Sequence, residues 1–332
     1  MTSLEERILK SMGSLNAPRG LIVELITPLT MESDIDGKGL GRLLERISPF
    51  VQALFIAGPR IGEGVHLTTP QRLDLLEKTI VITRGNVPIF IWVSQETEKE
   101  TGETILALNN YLERRKYTGE VFWVDTPLYY HSNRGLISYY KDICSKTRRP
   151  FILYNDPEFI KRLDRSLKRD NIRTSILKQL VDIENISGLI FMGSLERSYN
   201  YQKACRKRTS FRIYDGDEAV FLDYPSMNGV VSAGANLTPA AWQKMTLSSL
   251  QLTSNEKKYP DHIGQIWKTG RCLHDLIDLY RRMPVAVIKE TLFDMGVIET
   301  LFSTLPAREV KEPAAKVMKL VADLNHTFRA TS

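Results

Sequence analysis

The chain has 332 residues, of which 42% are hydrophobic and 25% are charged. These proportions are typical of a globular protein and exclude a collagen-like, coiled-coil or wholly disordered chain. The net charge of +6 comes from 45 basic and 39 acidic residues that are interspersed along the chain. Because the basic residues form no uninterrupted tract, the composition disfavours nucleic acid as a partner.

The cysteines and the apolar runs restrict the class further. Cys144, Cys205 and Cys272 lie far apart without a CxxC pair, so neither a disulfide framework nor a zinc site is expected. The longest apolar run has seven residues, from Val87 to Val93, which is too short to span a membrane. The N-terminus lacks the apolar region of a signal peptide, so we expect a cytoplasmic protein with no membrane partner.

Eight short apolar runs alternate with segments of helical periodicity. The runs cover residues 20–27, 51–58, 87–93, 120–127, 150–156, 186–191, 211–217 and 229–235. Their apolar residues are continuous rather than alternating, which is typical of strands buried on both faces. Eight strand–helix repeats predict an α/β protein with a (β/α)8 TIM barrel. An open doubly wound sheet is the alternative, but the first turn, residues 27–30, contains no GxGxxG motif.

The pattern becomes purely helical after Pro239, with helices predicted over 259–282, 284–295 and 313–327. We therefore predict three segments. An N-terminal extension covers residues 1–18, the barrel covers 19–250 and a helical C-terminal extension covers 251–332. In a TIM barrel the chemistry lies at the C-terminal ends of the strands, so the residues at those ends are the candidates for a site.

The strand ends carry a series of motifs that resembles, in order, the dihydrodipicolinate synthase and N-acetylneuraminate lyase family. The motifs are Thr27-Pro28-Leu29, Gly62-Glu63, Thr126-Pro127-Leu128-Tyr129-Tyr130, Tyr154-Asn155-Asp156-Pro157, Asp215-Gly216-Asp217, Gly229-Val230-Val231-Ser232 and residues 284–289. The resemblance runs from about Gly20 to about Gly296. It implies a barrel with a helical C-terminal extension that assembles into homo-oligomers, dimers or tetramers.

The resemblance also implies a chemistry. Family members are carbon–carbon or carbon–oxygen lyases or synthases that form a Schiff base between a strand-six lysine and pyruvate or another 2-oxo acid. That chemistry uses no cofactor and no metal, so none is expected. Tyr154 resembles the family's proton-relay tyrosine, and Tyr129 resembles the tyrosine that reaches into the neighbouring subunit's site. These two are the candidate catalytic residues.

The departures from the family pattern concern the reacting groups themselves. Ile190 falls at the position of the Schiff-base lysine, and an aliphatic side chain cannot act as a nucleophile. Arg60 and Ile61 replace two threonines that bind the substrate carboxylate in the family, and Phe159 replaces an arginine that holds the substrate. Glu24 replaces a small pocket residue. The predicted ligand-binding set is Glu24, Arg60, Ile61, Ile190, Gly216 and Val231.

Several of these residues have a structural alternative. Tyr154 is either a relay or a packed aromatic residue. Glu24 and Arg60 form either an internal salt bridge that fills the old pocket, which we favour, or an anion site at Arg60. We expect the two to be joined by a charge-assisted hydrogen bond. Asp125, Asp215 and Asp217 are conceivable metal ligands, a role that we disfavour, and Asp217 and Glu218 instead suit the cap of the helix after strand seven.

Three hypotheses for the function follow. The first is a family protein without Schiff-base activity, with a binding or regulatory role or an altered chemistry. The second is an active lyase or synthase on pyruvate or another 2-oxo acid, with a lysine from elsewhere. The third is a non-catalytic subunit that partners an active paralogue. In each case the expected ligand is a small 2-oxo acid or another small acidic molecule.

Overall fold

The computed structural model describes residues 16–163, 169–225, 227–250, 261–306 and 309–329. Eight parallel strands form a closed barrel in chain order, which confirms the predicted (β/α)8 fold. The strands are β1 (Gly20–Glu24), β2 (Ala53–Ile56), β3 (Ile89–Trp92), β4 (Val121–Asp125), β5 (Phe151–Asn155), β6 (Ile186–Phe191), β7 (Arg212–Asp215) and β8 (Gly229–Ser232). Every strand lies within one of the eight predicted apolar runs. Nearly all of their residues are buried, as the continuous apolar pattern predicts.

The helices follow the predicted periodic segments, and short helices open several strand–helix connections. They are α1 (Gly37–Ile47), α2 (Thr69–Thr83), α3 (Glu98–Arg114), α4 (Pro127–Tyr130), α5 (Leu136–Lys146), α6 (Pro157–Lys161), α7 (Thr174–Leu180), α8 (Leu195–Cys205), α9 (Glu218–Asp223), α10 (Pro239–Ser249), α11 (Asp261–Tyr280), α12 (Pro284–Asp294) and α13 (Lys311–Arg329). Side-chain caps fix several starts. Asp36 accepts from the main chain of Lys38 and Gly39 before α1, and Asp217 caps α9 as predicted.

The chain divides into two compact units. The β3–β7 unit comprises Arg84–Gly216 with the segment up to Arg19, and the β8–β1–β2 unit comprises Gly20–Thr83 and Asp217–Ser332. The predicted extension 1–18 lies outside the described residues except for its last three positions. The boundary predicted near residue 250 also falls at undescribed residues, so the proposed division into barrel and extension stays a prediction.

In the β3–β7 unit, strand register fixes which residues share a face. Ile190 on β6 is paired with Tyr154 on β5 and with Tyr214 on β7. The ring of Phe191, the next residue, lies 5.1 Å from that of Tyr201 on α8, so Phe191 faces the helices. Since side chains alternate along a strand, Ile190 faces the barrel interior.

In the β8–β1–β2 unit, the C-terminal region contacts α9, α1 and the loop after β1. The Tyr280 hydroxyl at the end of α11 donates to Glu218 at 2.5 Å. The Arg42 guanidinium on α1 donates to the Val297 carbonyl at 2.8 Å, and the Thr300 hydroxyl donates to the Leu29 carbonyl at 2.5 Å. The segment after α12 is therefore joined to the loop that follows β1.

Candidate functional site

The loop that follows β2 surrounds a buried carboxylate. Glu24, at the C-terminal end of β1, is only 4% exposed. Its Oε1 accepts hydrogen bonds from the main-chain N–H groups of Arg60 (3.1 Å) and Ile61 (3.0 Å). Gly58 leaves the space for this carboxylate, because a Cβ at that position would overlap the Glu24 side chain. The loop is tied back to β1 by the Thr27 hydroxyl, which donates to the Gly62 carbonyl at 2.7 Å.

The hydrogen bond between Glu24 and Arg60 is donated by the main-chain N–H of Arg60, whereas the predicted charge-assisted bond was to come from its guanidinium. Burial raises the pKa of the Glu24 carboxyl, while the amide N–H bonds and the nearby Arg60 charge act in the opposite direction. Arg60 is exposed and Ile61 is buried. Because a backbone donor is present whatever the side chain, the sequence alone could identify the pair but not the atoms that join it.

The loop after β2 itself carries a second buried carboxylate, Glu63, whose partner was not predicted from the sequence. Glu63 forms an ion pair with Lys289 on α12, and both side chains are almost fully buried. The other oxygen of Glu63 accepts from the Ser303 hydroxyl (2.8 Å) and from the main-chain N–H (2.6 Å) and hydroxyl (2.7 Å) of Thr304. The Lys289 ammonium also donates to the Phe302 carbonyl at 2.7 Å.

Burial and the ion pair act on the pKa of Lys289 in opposite directions. Burial lowers the pKa of Lys289, and the Glu63 carboxylate opposes that shift. Glu63 itself has left-handed backbone angles, with φ of 55°. Both residues belong to motifs identified in the sequence, Gly62-Glu63 and the helix motif 284–289. Their opposite charges were the one feature of the sequence that could have indicated the pair. Val231, the remaining predicted residue of this unit, is buried on β8 beside Ile22.

In the β3–β7 unit, the predicted residues of strands five to seven form an apolar group. Ile190 is fully buried, and Tyr154 beside it is 2% exposed. The Tyr154 hydroxyl lies 3.6 Å from the sulfur of Met192, which follows β6 directly. A Cβ at Gly216 would overlap Met192 and crowd Ile190. The structure thus brings Tyr154, Ile190 and Gly216 together, with Met192 as a member that the sequence did not identify.

The fourth predicted residue of this unit, Tyr129, lies in an aromatic cluster. Its ring stacks on Phe159, with centroids 5.4 Å apart and planes 19° apart. The ring of Trp92 lies 5.8 Å from Tyr129 and 6.4 Å from Phe159. Tyr129 is 5% exposed, so its ring is buried within its own chain.

Asp125 anchors the segment that carries Tyr129. Its carboxylate accepts from the hydroxyls of Ser94 (2.6 Å), Tyr130 (2.7 Å) and Tyr140 (2.6 Å). Burial raises the pKa of Asp125 despite these bonds. The oxygens of Asp125, which we considered as a metal ligand, thus already accept hydrogen bonds from hydroxyls. The described residues contain no cluster of three or more His, Cys, Asp or Glu side chains that could hold a metal ion.

The comparisons with known proteins agree with these motifs. The profile of the Dihydrodipicolinate synthetase family matches residues 17–324, so the chain belongs to this family. It is 28% identical over 237 residues to a 4-hydroxy-tetrahydrodipicolinate synthase from Shewanella pealeana, which covers 70% of this chain and 74% of the relative.

Solved structures show the same fold. The 4-hydroxy-tetrahydrodipicolinate synthase from Methylacidiphilum fumariolicum aligns with a TM-score of 0.73 and 23% identity, over 94% of this chain and 97% of that one. A dihydrodipicolinate synthase from Acinetobacter baumannii, complexed with pyruvate, aligns with a TM-score of 0.72 and 20% identity, over 92% and 99% of the two chains. Within the part of the chain that the structure describes, no helix is long and apolar enough to cross a membrane.

Proposed function

We propose that this chain binds a small acidic ligand without forming a Schiff base at strand six. The observation that carries the proposal is the place of Ile190, which faces the barrel interior in register with Tyr154 and Tyr214. None of the eight strands contains a lysine. Imine formation needs an amine that can lose its proton and attack a carbonyl, and an isoleucine offers none.

The loop after β2 supports an acidic ligand. It already holds one carboxylate, that of Glu24, through two main-chain N–H groups, and it places the exposed Arg60 beside them. Amide donors and a guanidinium are the groups that recognise a carboxylate. Pyruvate, with which the Acinetobacter baumannii relative is complexed, is a small monocarboxylate. A small 2-oxo acid or a related monocarboxylate is therefore the proposed ligand class.

The second candidate function is an active lyase or synthase that uses another lysine, as the name of the Shewanella relative suggests. Lys289 is the specific candidate, because among the lysines that the structure describes it alone is buried. Its ammonium is paired with Glu63 and donates to the Phe302 carbonyl. Burial lowers the pKa of this amine and the Glu63 carboxylate opposes that shift, so the argument against this candidate is geometric. Glu63 and the Phe302 carbonyl already occupy the ammonium.

The third candidate, a non-catalytic subunit that completes a paralogue's site with Tyr129, has less support. The Tyr129 ring is stacked on Phe159 and buried within its own chain. To reach a neighbour's site, the ring would have to leave this stack.

Borohydride trapping tests the proposal. The protein is incubated with pyruvate, reduced with borohydride and weighed by intact-mass spectrometry, and we expect an unchanged mass. A family member that carries the strand-six lysine serves as the positive control. A stoichiometric adduct would contradict the proposal, and its loss in Lys289→Met would identify the substitute amine. Noncovalent binding of pyruvate is measured separately by calorimetry, where the absence of heat would reject the binding role.

A further inference from the structure

The loop from Gly58 to Gly62 has the form of an anion-binding nest. Two consecutive main-chain N–H groups, of Arg60 and Ile61, point at one oxygen of Glu24. The turn is tight, because a Cβ at Gly62 would overlap the main chain at Gly58. Successive N–H groups in such a turn create a concave site of partial positive charge that favours an anion.

The occupant of this nest is a side chain of the same molecule. Glu24 is 4% exposed, so water contributes little to its solvation and the loop amides take over that role. Gly58 provides the room for its carboxylate, and the exposed Arg60 adds a positive charge beside it. The nest and its occupant lie in one unit, on β1 and on the loop after β2.

We propose that Glu24 is an internal ligand of this nest, which any small carboxylate must displace. The amides of Arg60 and Ile61 converge on a single oxygen, so the nest offers donors for one carboxylate group. Glu24 thereby holds down the affinity of the chain for an external acid. This inference deepens the proposed binding role and rests on it for the ligand class.

Replacement of Glu24 by alanine tests the inference. Glu24→Ala removes Cγ, Cδ and both oxygens, the same set of heavy atoms that acetate contains. Acetate should therefore bind Glu24→Ala at least about tenfold more tightly than it binds the wild type, and raise its melting temperature by mass action. Glu24→Gln is the matched control, because its amide oxygen still accepts from the loop and its side chain still fills the space. Sodium chloride at the same concentration controls for ionic strength.

The outcomes separate clearly. Equal acetate affinity of wild type, Glu24→Ala and Glu24→Gln would overturn the inference, as would an equal effect of chloride. If Glu24→Ala does not fold in plain buffer, it is refolded in acetate or in chloride. Recovery in acetate alone supports the inference, and recovery in neither salt contradicts it. The borohydride experiment is independent of these results, because it tests an amine and not the nest.

Discussion

The strand ends of the two units differ in the groups that surround their buried side chains. In the β8–β1–β2 unit, Glu24 and Glu63 are buried as carboxylates and are matched by main-chain N–H groups and by the Lys289 ammonium. In the β3–β7 unit, Tyr154 lies beside Ile190 and Met192, and Tyr129 is stacked on aromatic rings. The first region matches its buried carboxylates with main-chain amides and an ammonium, whereas the second has apolar groups at strands five and six and holds its buried carboxylate, Asp125, with neutral hydroxyls.

This contrast fits the proposed absence of Schiff-base chemistry at strand six. An apolar residue at position 190 needs no hydrogen-bonding or charged partner, because burial of its side chain stabilises the protein by itself. A buried carboxylate cannot be introduced in that way, since it needs donors in place. The loop amides at residues 60 and 61 supply such donors for Glu24, whatever side chains those positions carry.

The largest expected effect concerns the Glu63–Lys289 ion pair. Lys289→Met leaves the Glu63 carboxylate buried without its cation, which should cost about 3 to 5 kcal/mol of the free energy of unfolding, measured in urea. The double variant Glu63→Gln with Lys289→Met should lose less than the sum of the two single changes.

An exposed ion pair of the same unit provides the control. Arg42 and Glu299 are about 39% and 54% exposed, so Glu299→Gln should cost less than about 1 kcal/mol. Strict additivity of the Glu63 and Lys289 changes would show that the two side chains are not coupled. The proposed difference between the two units would then lose its strongest support.

A lysine introduced on β6 tests whether the β3–β7 unit tolerates a charge at this position. Ile190→Lys places an ammonium in an apolar interior and should destabilise the protein by about 3 kcal/mol or more. It should gain no turnover with pyruvate, because Arg60, Ile61 and Phe159 still stand where the family has its carboxylate-holding and relay groups, and such groups act as a unit. Ile190→Met keeps the volume and should cost under about 1.5 kcal/mol. Measurable turnover of the lysine variant would show that one residue separates this chain from an active enzyme.

Smaller effects are expected for Arg60 than for Glu24. Glu24→Ala leaves the N–H groups of Arg60 and Ile61 without their carboxylate, which should cost about 3 kcal/mol. Arg60→Ala keeps both N–H groups and removes an exposed charge, so it should cost under about 1 kcal/mol. A double-mutant cycle in urea measures the coupling. A coupling energy well above that of a surface pair would mean that the guanidinium, and not the backbone, carries the interaction.

The sequence predicted the barrel because the strands have a local signal. Runs such as that around Ile190 are continuously apolar, and continuous burial is what a parallel barrel strand requires. The strand bounds were predicted less well. Leu25 to Thr27 extend the first apolar run but lie beyond β1, in the segment from which the Thr27 hydroxyl donates to the Gly62 carbonyl.

The site was predicted only in part, because contacts between residues far apart in the sequence leave no local pattern. The pairing of Glu24 with residue 60 followed from the order of neighbouring strands. The Glu63–Lys289 ion pair joins residues more than two hundred positions apart, and no periodicity of the sequence connects them. Likewise, Phe159 was identified as a departure from the family pattern, but its stacking on Tyr129 depends on how α4 and α6 pack.

The smallest effect on stability is expected from the ionisation of Asp125. Its carboxylate accepts hydrogen bonds from the hydroxyls of Ser94, Tyr130 and Tyr140. Burial raises the pKa of this carboxyl above its usual value of 3.8, so the folded state holds the proton more tightly than the unfolded state. Its contribution to stability is therefore fully present below pH 3.8 and is lost as the pH rises through the raised pKa, with a slope of at most about 1.4 kcal/mol per pH unit. Its neighbours Tyr130, Tyr140 and Cys144 do not titrate in that range, because burial raises the pKa of both tyrosines well above the usual value and that of Cys144 to about 12.

Asp125→Asn removes this titration and should flatten the pH dependence of the free energy of unfolding between pH 4 and neutrality, relative to wild type. The two proteins are compared by urea unfolding at each pH, so that any constant cost of the substitution cancels from the slopes. Ser94→Ala is the second variant: it removes one donor to the carboxylate, which raises the pKa of Asp125 further and extends the loss of stability to higher pH. Parallel curves for wild type and Asp125→Asn would mean that Asp125 ionises as readily in the folded chain as in the unfolded one. The position of α4 would then depend on the packing of Tyr129 against Phe159 and not on a buried carboxylate.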